Sequence, residues 1–356
     1  MADLRFSRDS LVHSIRTTLE RGGIPSEIAQ IEADLAVEAD FQGVPSHGIT
    51  RVPLLLKGLA DGRVTASPSL TLTRDKAAVC VLDGDRGPGR FVSTRAMDEA
   101  IRRAQSFGIG ACLAVRTSHW GRAHAYAAQA ARKGLIGLCM TNAVTSMAGW
   151  GLTGRVVGNN PLAIGVPGLD PEEPIVLDMA MSQAAVGKVA TWLREGRPIP
   201  GHWGIDAAGK PTDDPAAILQ GAVLPMGDHK GAGLALMIQL MTAALAGGML
   251  DHELRDHDAS GLDSESSKLF LALDVEAFLD PGVFRARTAS LLEWLKARPG
   301  SEAEFLFPGQ RGWTEKRKNQ SAGVPVHPDI AAQLRAAGVE LPPRVSGSGP
   351  FLPQTS

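Results

Sequence analysis

Cysteine is scarce in this sequence, three residues in 356, and none of the three belongs to a CxxC pair. Cys80, Cys112 and Cys139 stand far apart among apolar neighbours in strand-like runs. That spacing excludes a disulfide-stapled secreted scaffold and fits buried, reduced thiols in a cytoplasmic protein. Net charge is scarce as well: 36 Lys and Arg face 38 Asp and Glu, a balance of −2, with no long block of one sign. Nucleic acid and an acidic membrane surface are therefore not expected as partners. The opening MADLRFSRDSLVHSIRTT lacks the apolar centre of a signal peptide. Only Gly231 to Leu250 runs without a charge for long enough to cross a bilayer, and it holds Gln239, Thr242 and four glycines. With no second span anywhere, it reads as a core helix of a soluble protein rather than a membrane segment. No internal repeat is present.

Several familiar signatures are missing or incomplete. Gly149-Trp150-Gly151-Leu152-Thr153-Gly154 matches GxGxxG, but RVVGNNPLAIGVP follows it, and no helix of useful length fits there to meet a pyrophosphate. Gly187-Lys188 precedes Val189 rather than Ser or Thr, so there is no Walker A loop. His119 and His124, and His252 and His257, lack the spacing of HExxH or of a Cys/His zinc site, and no metal is expected.

What is present reads as α/β. Residues 8 to 42 predict two helices, with apolar faces at Leu11, Val12, Ile15 and Leu19 and at Ile28, Ile31 and Leu35, closed by Gly22-Gly23 and Gly43. A short helix follows in VPLLLKGLADGRV. Strands are expected at Leu70–Thr73 and Ala77–Leu82, joined by a turn at Arg74-Asp75-Lys76. A helix over 94–106 leads into the strand IGACLAVRT. Ser118 then reads as the cap of a helix opening at His119, and LIGLCMTNA as the next strand, the clearest strand–helix–strand unit in the chain. Short strands in Gly/Asn/Pro-rich loops fill 142–185, and 196–228 reads as mostly loop. A long helix is expected over 230–246, a mobile surface loop in DHELRDHDASGLDSESS, a strand in LFLALDV and an amphipathic helix in FRARTASLLEWLKARPG. A last helix falls at 327–337, and residues 346–356 read as a disordered tail.

The stretch that invites chemistry is Pro45-Ser46-His47-Gly48-Ile49-Thr50-Arg51. With Ser46 as a helix cap, His47 and Arg51 are four residues apart and share a face, and Pro53 kinks the helix two turns in. A proton donor beside a fixed cation suits a small carboxylate whose neighbouring carbon is to be reduced. A His titrating near neutrality protonates the oxygen as it becomes an alkoxide. An Arg grips the carboxylate through two parallel hydrogen bonds. An Asp such as Asp178 can hold a His in one tautomer.

Joined to SHWG at 118–121, GNNPLAIGVP at 158–167, LDMAMSQAAVGKV at 177–189 and LPMGDHKGAGLAL at 224–236, this stretch resembles the second-type malate/L-lactate dehydrogenase family. That family also includes sulfolactate and ureidoglycolate dehydrogenases and the diketogulonate and piperideine-2-carboxylate reductases. The resemblance runs from about residue 10 to residue 338. It implies a non-Rossmann NAD(P)-binding domain with a mixed, largely antiparallel sheet over 70–310. Beside it, a helical, dimerising domain is expected from 1–69 with 311–345, in a homodimer. It also implies NAD or NADP as cofactor and a small 2-oxo or 2-hydroxy acid as substrate.

Residue by residue, the resemblance places His47, His119, Asp178 and Arg51 in catalysis, with the two histidines competing for the acid/base role. Ser46, Arg51 and Asn142 fall to the substrate. Asn160, Asp178, Met179, Ala180, Ser182, Lys230, Gly231, Pro308, Gly309 and Gln310 fall to the cofactor. Lys230 at a helix start opposes the helix dipole unless an anion such as a cofactor phosphate sits there. Two departures stand out: GNNP where relatives usually read GTNP, placing Asn159 for a threonine, and a short segment before HKG. The alternatives are a reductase of cyclic 2-imino acids and, from another class, a metal- or partner-binding protein built on the His/Asp stretch 251–258.

Overall fold

A computed structural model describes residues 3–298, 300 and 305–345. The chain divides into two units, residues 1–67 with 309–356, and residues 68–308. The expected tail at 346–356 lies outside the described residues.

The first unit opens with β1 (Leu4–Phe6), α1 (Arg8–Arg21) and α2 (Ser26–Phe41). Ser7 caps α1 by accepting from the Ser10 N–H, and Leu11, Val12, Ile15 and Leu19 are buried as their spacing predicts. On α2 the apolar pattern conceals Glu32 and Asp40, which are also buried. The helix expected at Ser46 is replaced by two 3-10 turns, Pro45–His47 and Ile49–Arg51, followed by α3 (Val52–Ala60). Gly48 breaks the run at φ −99° and ψ −131°. Pro53 therefore kinks nothing. It sits in the first turn of α3, where its missing N–H would have had no helical partner.

The second unit runs β2 (Thr71–Lys76), β3 (Val79–Gly87), α4 (Gly89–Phe107), β4 (Ile109–Thr117), α5 (His124–Arg132) and β5 (Leu135–Thr141). It continues through β6 (Thr145–Met147), β7 (Val157–Gly158), β8 (Leu162–Val166), β9 (Ile175–Met179), α6 (Val186–Arg194), β10 (Gly204–Ile205), α7 (Pro215–Gln220) and β11 (Ala222–Val223). It ends with α8 (His229–Gln239), α9 (Asp251–His257), β12 (Ser266–Asp274) and α10 (Pro281–Lys296). The charged Arg74-Asp75-Lys76 lies in β2 rather than in the turn, which falls at 77–78. Helix α5 starts at His124, five residues later than expected, because Ser118 caps nothing and its hydroxyl donates to the Gly87 carbonyl.

Seven strands form the main sheet in the order β2-β3-β4-β12-β5-β8-β9. Only β3 and β4 pair in parallel, and every other neighbouring pair is antiparallel. The strand–helix–strand unit β4–α5–β5 forms as expected, with β12 inserted between its strands and antiparallel to both. Helix α4 packs on β3, β4 and β12, and α5 on β5, β8 and β9. The other side of the sheet buries Leu113, Met140 and Leu269 against Met147, Met181 and Ile238. A smaller sheet, β10-β11-β6-β7, adjoins that core.

Two expectations change here. The His/Asp/Ser-rich stretch is no mobile loop: it forms α9 and the start of β12, with Asp251, Ser264, Ser266 and Ser267 buried. The charge-free segment is not buried all round either. Helix α8 passes into a π-helical turn over Leu240–Ala244, burying Ala235, Ile238 and Thr242 while Leu234, Leu236, Met237, Leu240 and Leu245 are exposed. Among the described residues no helix is long and apolar enough to cross a membrane. The chain returns to the first unit with α11 (Gln310–Ala322), β13 (Val324–Val326), which pairs antiparallel with β1, and α12 (Pro328–Ala336).

Candidate active site

In the first unit, Ser46 organises the turns before α3. Its hydroxyl lies 2.9 Å from Nδ1 of His47, and its carbonyl accepts Nε of Arg51 at 3.0 Å. One residue thus orients both the imidazole and the guanidinium. Beneath them, the buried Asp40 carboxylate accepts the Ile49 N–H at 2.7 Å and so caps the second turn. A Cβ on residue 48 would land on that carboxylate, which explains the glycine. Asp40 escaped the sequence reading because nothing local marks a helix Asp as the cap of a turn nine residues on.

In the second unit, His119 lies in the turn between β4 and α5. Its N–H donates to the Leu262 carbonyl at 2.6 Å. Trp120 stacks on Tyr126, and the Tyr126 hydroxyl donates to the Trp120 carbonyl, which fixes the turn. Nδ1 of His119 accepts the Gly121 N–H at 3.1 Å, which assigns the proton of the neutral ring to Nε2.

Asp178 does not serve as the tautomer-holding partner of that ring nitrogen. Its Oδ2 accepts Nε of Arg122 at 3.1 Å and the His124 N–H at 3.2 Å. Burial pushes its carboxyl up from the ordinary value, and the Arg122 guanidinium works in the opposite direction. The sequence offered Arg122 only as a neighbour of SHWG; its role depends on β9 lying beside α5.

Asn142 and Asn160 are both buried, and their amides serve a network centred on Asp251. Asp251 Oδ2 accepts Asn160 Nδ2 at 2.9 Å, Gln239 Nε2 at 2.8 Å and the Gly158 N–H at 2.8 Å, and its Oδ1 accepts Asn142 Nδ2 at 3.3 Å. The remaining amide groups bond backbone: Asn160 Oδ1 accepts the Ala143 N–H, and Asn142 Oδ1 accepts the Ser267 N–H. Burial pushes the Asp251 carboxyl up to about 6 against these donors. Among the described residues no three His, Cys, Asp or Glu side chains gather as a metal would need.

The segments expected along the cofactor meet between β9 and α8. The Met226 N–H donates to the Met181 carbonyl, and Ser182 bridges to Pro225. Gly231 packs so tightly that a Cβ there would stand 2.5 Å from the carbonyl oxygens of Met181 and Met226. Helix α8 begins without a side-chain cap, and Lys230 in its first turn is exposed. The Lys230 and Gly231 N–H groups donate to the Gly227 and Met226 carbonyls, so it is the exposed Lys230 ammonium that fits a cofactor phosphate. Met179 and Ala180 lie half-buried at the end of β9, and the Pro308 carbonyl accepts the Val176 N–H. Gly309 and Gln310 open α11 in the first unit, Gly309 at φ +90°.

An imidazole beside an anchored guanidinium in the first unit, and in the second an imidazole with its proton on Nε2 and an exposed lysine, are groups that a protein supplies when a nicotinamide carries the hydride. That describes the protein side of an oxidoreductase. Comparison with known proteins gives the particular family. The malate/L-lactate dehydrogenase model matches residues 6–335. A malate dehydrogenase of Pyrococcus horikoshii is 32% identical over 95% of this chain and 96% of its own. An L-sulfolactate dehydrogenase of Methanocaldococcus jannaschii is 33% identical over 91% and 93%. A (2R)-3-sulfolactate dehydrogenase (NADP(+)) of Chromohalobacter salexigens is 34% identical over 74% and 78%. The solved Pyrococcus horikoshii malate dehydrogenase superposes with a TM-score of 0.85 at 30% identity over 95% of this chain and 97% of that one. The δ1-piperideine-2-carboxylate reductase of Pseudomonas syringae pvar. tomato superposes at 0.83 with 29% identity over 94% and 99%. The chain belongs to the malate/L-lactate dehydrogenase family. It is an enzyme, an NAD(P)-dependent oxidoreductase acting on hydroxy acids.

Proposed function

We propose that the protein interconverts a small 2-oxo acid and its 2-hydroxy acid, of the malate or sulfolactate type, with His47 as the proton donor and Arg51 holding the substrate carboxylate. The observation that carries this is Ser46, which ties both side chains to one residue. The bound nicotinamide supplies or accepts the hydride. Lys230, exposed in the first turn of α8, would hold a phosphate of that cofactor, with Met179 to Ser182 alongside, in a domain of non-Rossmann type.

The hydrogen bonds at the two histidines favour His47 as the acid/base. Nδ1 of His119 accepts a backbone N–H, which leaves Nε2 of the neutral ring as a donor toward the substrate. Nδ1 of His47 faces a hydroxyl, which accepts from the charged ring or donates to the neutral one. His47 can therefore cycle between both forms, as an acid/base must. Arg51, anchored through Nε, presents a fixed positive charge to the carboxylate.

The test follows nicotinamide absorbance with NADH and NADPH separately against pyruvate, oxaloacetate, sulfopyruvate and piperideine-2-carboxylate. An oxo acid should turn over; turnover of the cyclic imine alone would assign the chain to imine reduction. His47→Gln should lower kcat by about 10²–10⁴ and flatten its pH profile. His119→Gln should keep the wild-type profile with a smaller loss, and the reverse pattern would exchange the roles.

The exposed Leu234, Met237, Leu240 and Leu245 favour a homodimer that covers the outer face of α8. Light scattering should give twice the chain mass, and Leu240→Glu should give monomer. Three buried reduced thiols favour a cytoplasmic setting.

A further inference from the structure

We propose that Cys80 and Cys112 form a dithiol site that a hydroperoxide converts reversibly to a disulfide. The two residues are direct partners in the parallel ladder of β3 and β4. Neighbouring strands lie about 4.8 Å apart and ladder partners project to the same face, inside the roughly 4.4–6.8 Å of Cα separation that a disulfide bridges. Both thiols are buried under α4, whose Arg103 is buried with them, donates to the Ala77 carbonyl and is ion-paired with Asp75.

These surroundings favour Cys80 as the attacking sulfur. A hydrogen bond from the Cys112 thiol, with Arg103 nearby, brings the Cys80 thiol below its ordinary value, while burial and Glu99 oppose the shift. Its partner is pushed well up, chiefly by the same hydrogen bond and by burial. Cys80 lies on β3 next to β2, an edge strand exposed along its whole length, so local opening of that edge would admit the peroxide.

The chemistry balances with one hydroperoxide. The Cys80 thiolate attacks the peroxide oxygen, the O–O bond breaks and an S–O bond forms, leaving a sulfenic acid and, with the proton, an alcohol or water. The Cys112 sulfur then attacks Cys80; the S–S bond forms, the S–O bond breaks, and the departing hydroxide takes the Cys112 proton as water. Two thiols are oxidised and one peroxide is reduced. The product ties β3 to β4 before the strands reach the Gly87–Ser118 contact beside His119.

Cys139 provides an internal control. Phe270 of β12 pairs with Cys112 on one side and Cys139 on the other, so these two thiols are two strand spacings apart, beyond a disulfide's reach. Burial also pushes the Cys139 thiol well up.

The experiment exposes the folded chain to hydrogen peroxide, quenches it, alkylates in denaturant and digests with trypsin. The expected product joins peptide 77–86 to peptide 104–116 with the loss of two hydrogens, leaves 134–155 alkylated at Cys139, and reverts with dithiothreitol. Cys139→Ser should give the same bridged product, and Cys80→Ser should give none. Full alkylation of all three cysteines after peroxide, or a bridge that includes Cys139 or a second chain, would overturn the assignment.

Discussion

Lys268 offers the sharpest physical test of this structure. It projects from β12 into the interior, 1% exposed, its ammonium donating to the hydroxyls of Thr117 and Ser266 with the Trp120 ring 5.9 Å away. Burial brings its pKa down from 10.5 to about 7, and Asp263 opposes the shift. Between those two values the unfolded chain holds a proton that the folded chain has released. Stability should therefore rise with pH across that window, and the whole penalty is present below pH 7. From pH 7 to pH 9 this one group should add roughly 2 kcal/mol to the free energy of unfolding.

The assay is urea denaturation at several pH values for the wild type and Lys268→Met. Other groups titrate alike in both chains, so the difference between them isolates Lys268. Methionine fills similar volume without the charge, and Ser266 Oγ still donates to the Thr117 carbonyl at 2.9 Å while Thr117 Oγ1 donates to the Ser266 carbonyl at 3.3 Å. The variant should be at least as stable as the wild type at pH 7, and its stability relative to the wild type should fall by roughly 2 kcal/mol by pH 9. Parallel curves for the two chains would refute the argument.

Other outcomes follow from the same bonding. Asp251→Ala should cost about 3 kcal/mol or more in urea denaturation, because it leaves buried donors on Gly158, Asn160, Gln239 and Asn142 without their acceptor. Asp251→Asn, keeping one oxygen for the converging donors, should cost less. Gly48→Ala should lower kcat/KM far more than Thr50→Ala, since only a Cβ at residue 48 displaces the Asp40 carboxylate from the Ile49 N–H. Near-normal kinetics in Gly48→Ala would remove Asp40 from the account of the site.

Local pattern explains how much of the fold is legible in the sequence. Helices α1 and α2 follow from apolar spacing and their closing glycines, and β4, α5 and β5 from a buried run, a helical run and another buried run. The turns at Pro45–Arg51 do not, because the residue that caps them, Asp40, sits on the preceding helix and looks like an ordinary polar position. Asp251 is misleading for the same reason. Its composition reads as solvated, and only the convergence of donors from residues 142, 158, 160 and 239 makes burial tolerable. His47, Arg51 and His119 are legible as candidates through the family pattern. The hydrogen-bond partner of each ring nitrogen is not, because it depends on a hydroxyl rotor and on the bend of one backbone turn.

The insertion of β12 has a consequence in time. During synthesis β2, β3 and β4 can associate, and so can β5, β8 and β9, but the two halves share no strand until Ser266–Asp274 emerges. Until then β4 and β5 each present an unpaired, apolar edge, the kind of surface that recruits another chain. A nascent chain halted at residue 260 should bind chaperones or aggregate, whereas one released after residue 280 has its sheet closed.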